Sequence, residues 1–368
     1  MSVQQVQSAG IYHGLPVYPS EHSGLTAIIT GANGISGAYM LRVLAKDPKR
    51  WKKIYCLSRR PPLVAGGLPA HAEHIPLDFL KDPKEIAGVL KEHNVTADHV
   101  FFFSYIQPPP KAGSAGIWSD AEELVRVNSL LISNFLDALK VASIIPKRFM
   151  LQTGAKNYGV HLGPTKVPQE ETDPRVTLEP NFYYAQEDLL TKFCAGTGSG
   201  WNICMPGPIL GAVPDAAMNA AFPLAVYCAV SRKLRQPLEF PGDAASDGEE
   251  YIESETGFNP RGYGGKGVTR RKFRLADWAK REEVKKAWAE LAEEHGLTQR
   301  ELVDVDRVFG FTDGTLCRPA PLSFSMDKSR KLGWHGFVDS TESLLEVFRD
   351  LAHIKMIPPV PEATVSFN

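Results

Sequence analysis

The sequence predicts an α/β fold built on a doubly wound parallel sheet, followed by a smaller, partly helical cap. From residue 25, short apolar runs alternate with longer amphipathic segments, a pattern typical of strands joined by helical crossovers. A glycine-rich turn follows the first apolar run directly, and after residue 205 prolines and glycines become dense. We therefore predict an N-terminal extension over residues 1–24, a Rossmann-type domain over 25–205, and a part that is mainly substrate cap over 206–368.

Each element of the predicted sheet domain is justified by its residue pattern. Strands are short apolar runs bounded by turn residues, and helices are longer amphipathic stretches. The predicted strands are Leu25–Thr30, Lys53–Leu57, Glu73–Pro76, Val100–Phe103, Arg148–Gln152 and Trp201–Met205. The predicted helices are Ile35–Ala45, Pro83–Glu92, Trp118–Val141 and one that begins near Tyr183. Strands that alternate with helices in this way form a parallel sheet covered on both faces.

The chain beyond the sheet domain has a different character. An apolar helix, Ala216–Val230, is predicted to be either core or the wall of a pocket. A charged helix, Ala276–His295, is interpreted most simply as a solvated face. Between them, the locally basic tract Gly257–Arg274 favours a flexible solvated loop over a substrate or phosphate contact.

Composition excludes several classes of partner. The 368 residues carry 41 Lys plus Arg against 42 Asp plus Glu, for a formal net charge of −1 at pH 7. Without a global basic field, we expect neither nucleic acid nor an anionic membrane surface to bind by charge. A small apolar molecule is the expected partner. The sequence leaves the oligomeric state open, a homodimer included.

Cysteine and histidine usage predicts a reducing compartment and no metal site. The five cysteines are scattered, and neither they nor the histidines show ligand spacing. Cys56 and Cys204 lie inside apolar runs, where a thiol is expected to behave as a small core residue. The N-terminal residues lack the features of a signal peptide, and no apolar stretch approaches the length of a membrane span. We therefore expect a cytoplasmic protein.

The glycine-rich turn predicts a dinucleotide site. Gly31, Gly34 and Gly37 form a G-x-x-G-x-x-G pattern that follows the first strand and opens a helix. The first glycine permits the tight turn, the second lets the backbone approach a pyrophosphate, and the third allows the helix to pack closely on the sheet. The helix N-terminus then faces the phosphates with unpaired N–H groups and a partial positive charge. Asn33 and Ile35 lie in the same turn and are assigned to the site with the glycines.

The residues after the second strand favour NADPH over NADH. A site that prefers NAD usually has an acidic residue at this position, whereas this chain has Ser58, Arg59 and Arg60. Two guanidinium groups suit a 2′-phosphate through charge-assisted hydrogen bonds, and a solvated basic turn is the alternative. Asp78, just past the third strand, is predicted either to accept a hydrogen bond from the adenine amino group or to be a turn residue.

The most informative part of the chain lies between residues 151 and 188. A loop that leaves the fifth strand at its carboxyl end contains Lys156, and Tyr183 follows at the start of the next helix. Parallel sheets place their chemistry at this edge. A tyrosine beside a lysine is an acid or oxyanion donor with a cation to stabilise its charged form. A helix-start aromatic residue and a solvated loop lysine are the alternative.

These motifs resemble those of the extended short-chain dehydrogenase/reductases, and among them the progesterone 5-beta-reductase/iridoid synthase-like group called PRISE. That group has a loop like T-G-x-K-x-Y-x-G-P and a segment like N-F-Y-Y-x-x-E-D. The matching and otherwise similar segments here are Thr153–Gly159, Gly163-Pro164, Asn181–Asp188, Arg59-Arg60, Val100–Gln107, Asn134–Leu139, Pro206–Gly211 and Met326–Trp334. The resemblance spans about residues 25–240 and 285–360.

The resemblance implies a rearranged tyrosine–lysine pair. Ordinary extended members have a catalytic Ser or Thr in the loop and a lysine four residues after the helix tyrosine. Here Gly154 and Glu187 occupy those two positions. In the PRISE pattern the lysine lies in the loop, here Lys156, and the tyrosine is the first of the Tyr-Tyr pair, here Tyr183. The resemblance further implies cofactor contacts by Phe103, Ser104, Tyr105, Gln152, Thr153, Tyr183, Pro206, Gly207 and Ile209.

The implied activity is transfer of a hydride from NADPH to the C=C of an α,β-unsaturated carbonyl compound (an enone), a reaction that would suit secondary metabolism. Tyr183 and Lys156 would stabilise the enolate. The open alternatives are a carbonyl reductase or nucleotide-sugar epimerase-like enzyme of the same fold, and a non-catalytic NADP-binding module. Two features depart from the family: Asn157 stands where the best-known members have His, and residues 243–285, which include Ser246-Asp247-Gly248, are atypical.

Overall fold

The computed structural model describes residues 4–109, 118–216, 218–241, 252–254, 269–271, 273–317 and 322–361, with the backbone alone for 252–254 and 269–271. Its strands are β1 (Val6–Ala9), β2 (Tyr12–Pro16), β3 (Leu25–Thr30), β4 (Trp51–Ser58), β5 (Ala72–Pro76), β6 (His99–Phe102), β7 (Arg148–Gln152), β8 (Gly200–Cys204), β9 (Ile252–Ser254), β10 (Thr269–Arg271) and β11 (Phe337–Val338). Its α-helices are α1 (Ile35–Ala45), α2 (Pro83–Glu92), α3 (Ala121–Val141), α4 (Phe182–Thr197), α5 (Ala221–Leu234), α6 (Leu275–Ala279), α7 (Glu282–His295), α8 (Val305–Leu316), α9 (Asp327–Lys331) and α10 (Ser340–His353). Much of the segment predicted to be atypical, with Ser246-Asp247-Gly248, lies outside the described residues.

A six-stranded parallel sheet with the order β5-β4-β3-β6-β7-β8 confirms the predicted Rossmann-type fold. Alternation along β3 shows that both faces of the sheet are covered. Ile28 belongs to a hydrophobic cluster with residues of α2, α3 and α4, whereas Ala27 and Ile29 belong to another cluster with residues of α1. Because all three side chains are fully buried, neither face of β3 contacts solvent there.

Most predicted elements of the sheet domain are confirmed, with shifted boundaries where a cap decides the start. The helix predicted from Trp118 begins at Ala121, because the Asp120 carboxylate accepts a hydrogen bond from the Glu123 N–H and caps it. The helix predicted near Tyr183 begins at Phe182. Strand β6 begins and ends one residue earlier than predicted.

The chain consists of two compact units. The sheet unit comprises Tyr18–His161 and Pro168–Gly207 and contains the six-stranded sheet with α1 to α4. The second unit comprises Met1–Val17, Leu162–Val167 and Pro208–Asn368. It contains α5 to α10 and a small sheet with the order β1-β2-β11. None of the described helices is long and apolar enough to cross a bilayer.

The interpretation of the charged segment as a solvated face is wrong in part. Residues 276–295, predicted as one helix, belong to α6 and α7. The apolar residues of α7 recur at helical spacing and are buried, with Trp288 fully enclosed. The apolar stripe of α7 is Val284, Ala287, Trp288, Leu291 and Ala292. Because the segment has many Lys and Glu residues, its composition indicates an exposed helix. The spacing of three and four residues between its apolar residues is nevertheless visible in the sequence.

The apolar helix predicted after the sheet domain is core, which is one of the two roles that the sequence leaves open. Helix α5 spans Ala221–Leu234 instead of the predicted residues 216–230. Asn219 lies in the turn before it, and its side-chain oxygen accepts a hydrogen bond from the Ala221 N–H. Phe222, Val226 and Trp288 belong to the same hydrophobic cluster. The apolar side chains of α5 therefore build core.

Two further predictions fail for particular residues. Cys204 is exposed, unlike the buried Cys56, because it is the last residue of the outermost strand β8. The tract Gly257–Arg274 is not entirely loop, because Thr269–Arg271 pairs antiparallel with Ile252–Ser254. Residues 257–268 and 272 lie outside the described residues.

We predict that Thr30→Val destabilises the sheet unit. The fully buried Thr30 hydroxyl oxygen accepts hydrogen bonds from the Phe103 and Ser104 N–H groups, at 3.1 and 3.2 Å. Valine has a similar shape but leaves both donors without this acceptor, at an expected cost of roughly 1–3 kcal/mol in the free energy of unfolding. Urea denaturation measures the change. The control Thr30→Ser keeps the acceptor and should lose less stability; a Val variant as stable as the parent would contradict the prediction.

Candidate active site

The glycine-rich turn after β3 has the geometry of an anion-binding helix start. Gly31 has a φ of +63°, and a Cβ at this residue would lie 2.9 Å from the carbonyl oxygen of Phe103. A Cβ at Gly37 would lie 2.3 Å from the carbonyl oxygen of Gly31, so α1 packs too closely on the turn for any side chain there. No side chain caps the N-terminus of α1 at Gly34, and no acidic residue lies in its first turn.

These features fit a pyrophosphate, which would be held by the first N–H groups of α1. Asn33 and Ile35 are partly exposed beside that helix start. Their assignment to the cofactor site, like that of the glycines, stays a prediction.

The turn after β4 presents two exposed arginines. The buried Ser58 hydroxyl donates a hydrogen bond to the carbonyl oxygen of Arg60 at 2.7 Å, which fixes the backbone of the turn. Arg59 and Arg60 are exposed, and no carboxylate among the described residues pairs with Arg59. This arrangement suits a 2′-phosphate. The Asp78 carboxylate accepts a hydrogen bond from the Leu80 N–H at 3.0 Å, which is the turn role left open by the sequence.

Hydrogen bonds tie the remaining predicted cofactor residues to the carboxyl edge of the sheet. Thr30 accepts the N–H groups of Phe103 and Ser104, and the ring of Tyr105 packs on Phe182 with centroids 5.7 Å apart. The Gln152 amide donates to the Ser36 hydroxyl at 2.9 Å and so links the end of β7 to α1.

The segment after β7 is tied in turn to the segment after β8. The Thr153 N–H donates to the carbonyl oxygen of Cys204 at 2.8 Å, and the Ala155 N–H donates to that of Pro206 at 3.1 Å. Gly207 is the last residue of the sheet unit. Ile209, the remaining predicted residue, belongs to the second unit.

Tyr183 lies at the carboxyl edge of β7. Its N–H donates to the Asn181 side chain, which caps α4, and its ring packs on Phe182 with centroids 4.3 Å apart. A Cβ placed on Gly154 would lie 3.0 Å from the Tyr183 hydroxyl oxygen, so the phenol occupies the space beside this glycine. Burial raises the pKa of Tyr183 above its ordinary value. The phenol is therefore neutral at pH 7 and able to donate a hydrogen bond.

Lys156 is buried, which excludes the solvated-lysine alternative. Its side chain is 6% exposed, and Nζ lies 3.1 Å from Oε1 of Glu179. Nζ also lies 5.7 Å from the ring centroid of Trp118. The side-chain amide of Asn181 donates to the Lys156 carbonyl oxygen at 3.0 Å, so the loop and the start of α4 are joined. Within the described chain, no hydrogen bond connects Nζ to the Tyr183 hydroxyl.

Sequence reasoning missed two residues beside this lysine, Glu179 and His161. The Glu179 carboxylate accepts hydrogen bonds from Lys156 Nζ and from His161 Nε2 on the same oxygen. Burial raises the pKa of Glu179, but the His161 hydrogen bond and the Lys156 charge outweigh it, and the pKa falls below its ordinary value. Burial and the Lys156 charge lower the pKa of His161. A buried lysine requires a counter-ion. In the sequence, the acidic residue two positions before the cap of α4, Glu179, could have indicated this partner.

The second tyrosine of the pair has a different role from the first. The Tyr184 hydroxyl donates to the carbonyl oxygen of Asn157 at 2.5 Å and accepts the Val176 N–H at 2.8 Å. The carboxylate of Glu187 accepts hydrogen bonds from the Asn157 amide and the Arg175 guanidinium, both at 3.1 Å. Tyr184, Asn157 and Glu187 therefore fasten the Lys156 loop to α4. Glu187, at the usual lysine position of the helix, is part of this support.

Comparisons with known proteins agree with this geometry. Residues 27–298 match the family described as the PRISE-like Rossmann-fold domain. The short chain dehydrogenase gsfE of Penicillium aethiopicum is 27% identical over 389 residues, covering 90% of this chain and 99% of that protein. A 3-oxo-Delta(4,5)-steroid 5-beta-reductase of Arabidopsis thaliana is 26% identical over 400 residues, covering 92% and 95%.

A solved structure supports the fold alone. A UDP-glucose 4-epimerase superposes with a TM-score of 0.53 at 13% identity and covers 92% of this chain and 100% of its own. The family match is more specific, because it spans most of the chain and includes the glycine-rich turn, the Lys156 loop and the start of α4. It confirms the resemblance seen in the sequence, and the chain belongs to the family of PRISE-like Rossmann-fold domains.

Proposed function

We propose that this protein is an NADPH-dependent reductase that transfers a hydride to the C=C of an apolar enone. The observation that carries the proposal is the neutral phenol of Tyr183, which lies beside Gly154 at the carboxyl edge of β7. Family membership and the redox names of the relatives support the coarser assignment, an oxidoreductase of this fold with a nicotinamide cofactor.

The name of one relative supports the choice of an enone. A 3-oxo-Delta(4,5)-steroid has a carbonyl group conjugated with a C=C bond, and a 5-beta-reductase reduces that bond. Negative charge then develops on the carbonyl oxygen, so the reaction requires a hydrogen-bond donor aimed at that oxygen. Tyr183 supplies a donor of this kind. Gly154, which stands where ordinary extended members have a hydroxyl residue, supplies none.

The residues that would hold NADPH lie around the carboxyl edge of the sheet. The first N–H groups of α1 would bind the pyrophosphate, and Arg59 and Arg60 would bind the 2′-phosphate. When bound, NADPH supplies the hydride. Asp78 accepts the Leu80 N–H through Oδ1, and its second carboxylate oxygen would accept the adenine amino group.

The chain's own part in the reaction is electrostatic. The Tyr183 hydroxyl donates to the carbonyl oxygen of the substrate and remains a donor at neutral pH, because its pKa is raised. Lys156 adds positive potential from the loop after β7, and its pairing with Glu179 fixes the position of that charge. Neither residue has to give up a proton before the hydride arrives, and the enolate left by hydride transfer would take its proton at the α-carbon from water.

Oxidation of NADPH with a panel of cyclic enones, ketones and aldehydes tests the proposal. Consumption with enones, together with a product that keeps its carbonyl group, is the expected result. Consumption with simple ketones or aldehydes alone would favour a carbonyl reductase. Tight binding of NADPH without consumption would favour a non-catalytic module.

We predict that Tyr183→Phe lowers kcat about 10²- to 10³-fold and leaves NADPH affinity unchanged, because it removes one oxyanion donor. Tyr184→Phe is the matched control. It removes a hydroxyl that supports the loop through Asn157 and Val176, so it should lower the melting temperature more than Tyr183→Phe does. Steady-state kinetics and thermal denaturation measure both. An unchanged kcat in Tyr183→Phe would rule out the assigned role.

We predict that Gly154→Ala impairs turnover through Tyr183. The backbone of Gly154 is extended, so alanine can adopt it, but its Cβ would lie 3.0 Å from the phenol oxygen. The phenol must then shift by a few tenths of an ångström, and we expect kcat to fall at least about tenfold with little change in stability. Gly196→Ala, in an open position of α4, is the control. Normal kcat in Gly154→Ala would show that the phenol position is not critical.

We predict that Arg59→Ala weakens NADPH binding about 10- to 100-fold and leaves NADH binding unchanged, since a hydrogen bond to a charged group contributes about 1.5–3 kcal/mol. Fluorescence titration with both cofactors gives the two Kd values. Arg126→Ala, which removes an exposed guanidinium paired with Glu123 on α3, serves as the control for lost positive charge. Equal weakening for NADH and NADPH would argue for a general effect on the turn.

A further inference from the structure

We propose that Glu179 is a positioning residue for Lys156, whose ammonium group it holds charged and in a fixed place beside the start of α4. This inference rests on the proposed function, in which Lys156 supplies positive potential, and it adds the residue that makes this potential available. Glu179 lies in the irregular segment before α4.

The contacts of the Glu179 carboxylate are directed at side chains. Its Oε1 lies 3.1 Å from Lys156 Nζ and also accepts the hydrogen bond from His161 Nε2. Glu179 therefore contacts the side chain of the proposed catalytic lysine.

Burial makes this ion pair matter for the protonation of Lys156. The lysine side chain is 6% exposed and that of Glu179 is 26% exposed, so water solvates the ammonium poorly. Without a counter-ion, a buried ammonium loses its proton more readily because desolvation disfavours the charged form. The Trp118 ring, 5.7 Å from Nζ, provides a weaker attraction than a carboxylate.

His161 is the third titratable group that interacts with Lys156 and Glu179. His161 lies in the loop after β7, and Glu179 lies in the segment before α4. The ring of His161 also contacts Trp118, with centroids 6.3 Å apart. Because burial lowers the pKa of His161, its ring is neutral at pH 7 and donates a hydrogen bond without adding a second cation.

Competitive acetylation measures the protonation of Lys156 without any substrate. Acetic anhydride reacts with the neutral amine, so peptide mass spectrometry over a pH series gives the midpoint at which each lysine becomes reactive. In Glu179→Gln we expect the Lys156 midpoint to fall by at least about one pH unit relative to the unmodified protein, or tenfold more reactive amine at a given pH. Glu179→Asp keeps the charge and should restore most of the difference.

A matched control separates this effect from a general loss of charge. Lys81 forms an exposed pair with Glu85, both side chains being 65% exposed, and exposed pairs are weak. Glu85→Gln should therefore change the Lys81 midpoint much less than Glu179→Gln changes that of Lys156. An unchanged Lys156 midpoint in folded Glu179→Gln would overturn the proposal. If that variant does not fold, a Lys156 midpoint below that of Lys81 in the unmodified protein would overturn it.

Kinetics then tests whether the held charge serves the reaction. We expect Glu179→Gln to lower kcat and to move the alkaline loss of activity to lower pH, with KM for NADPH unchanged and Glu179→Asp partly active. A shifted midpoint with an unaltered pH profile of kcat would overturn the positioning role. If the unmodified protein reduces no enone, the proposed function fails, and the acetylation midpoints still decide whether Glu179 holds Lys156 as a cation.

Discussion

One side chain, Asn181, joins the two parts of the site. Its oxygen accepts the N–H of Tyr183 and so caps α4, while its amide donates to the carbonyl oxygen of Lys156. Asn181 is buried, so neither hydrogen bond competes strongly with water. Lys156 and Tyr183 are 27 residues apart in the chain. Asn181, whose amide has both a donor and an acceptor, joins the lysine loop to the first turn of the tyrosine helix, and the Tyr184 and Glu187 contacts with Asn157 add to this link.

Space is the second constraint on this edge of the sheet. The phenol of Tyr183 lies beside the space that a side chain at position 154 would enter, and the backbone of Gly31 and Ala32 occupies the volume that a side chain at position 37 would need. At both positions glycine allows the close approach of neighbouring atoms. The loop after β7 has no hydroxyl residue at position 154, and the hydroxyl group beside this position is that of Tyr183 on α4.

The sequence predicts the sheet well because its information is local and periodic. Runs such as Leu25–Thr30 and Arg148–Gln152 match their strands residue for residue. The Glu179 ion pair could not be predicted in the same way, because it depends on the path of an irregular segment. Asp78 shows a different limit: an acceptor for adenine and a turn residue look the same in a sequence, and one carboxylate has enough acceptor sites to serve both roles. In α7 the pattern was visible but was outweighed by the number of charged residues.

The groups around Lys156 show how a buried ammonium group can be stabilised without complete neutralisation of its positive potential. An ammonium without a partner would be expelled or neutralised, whereas one fully enclosed by carboxylates would have no potential left for a developing oxyanion. Glu179 provides a single carboxylate. The oxygen that contacts Lys156 also accepts a hydrogen bond from the neutral ring of His161. This second donor withdraws part of the carboxylate's charge from Lys156. The counter-ion of Lys156 is thus shared with a second donor, and in the proposed reaction this would leave more of the positive potential of Lys156 for the substrate.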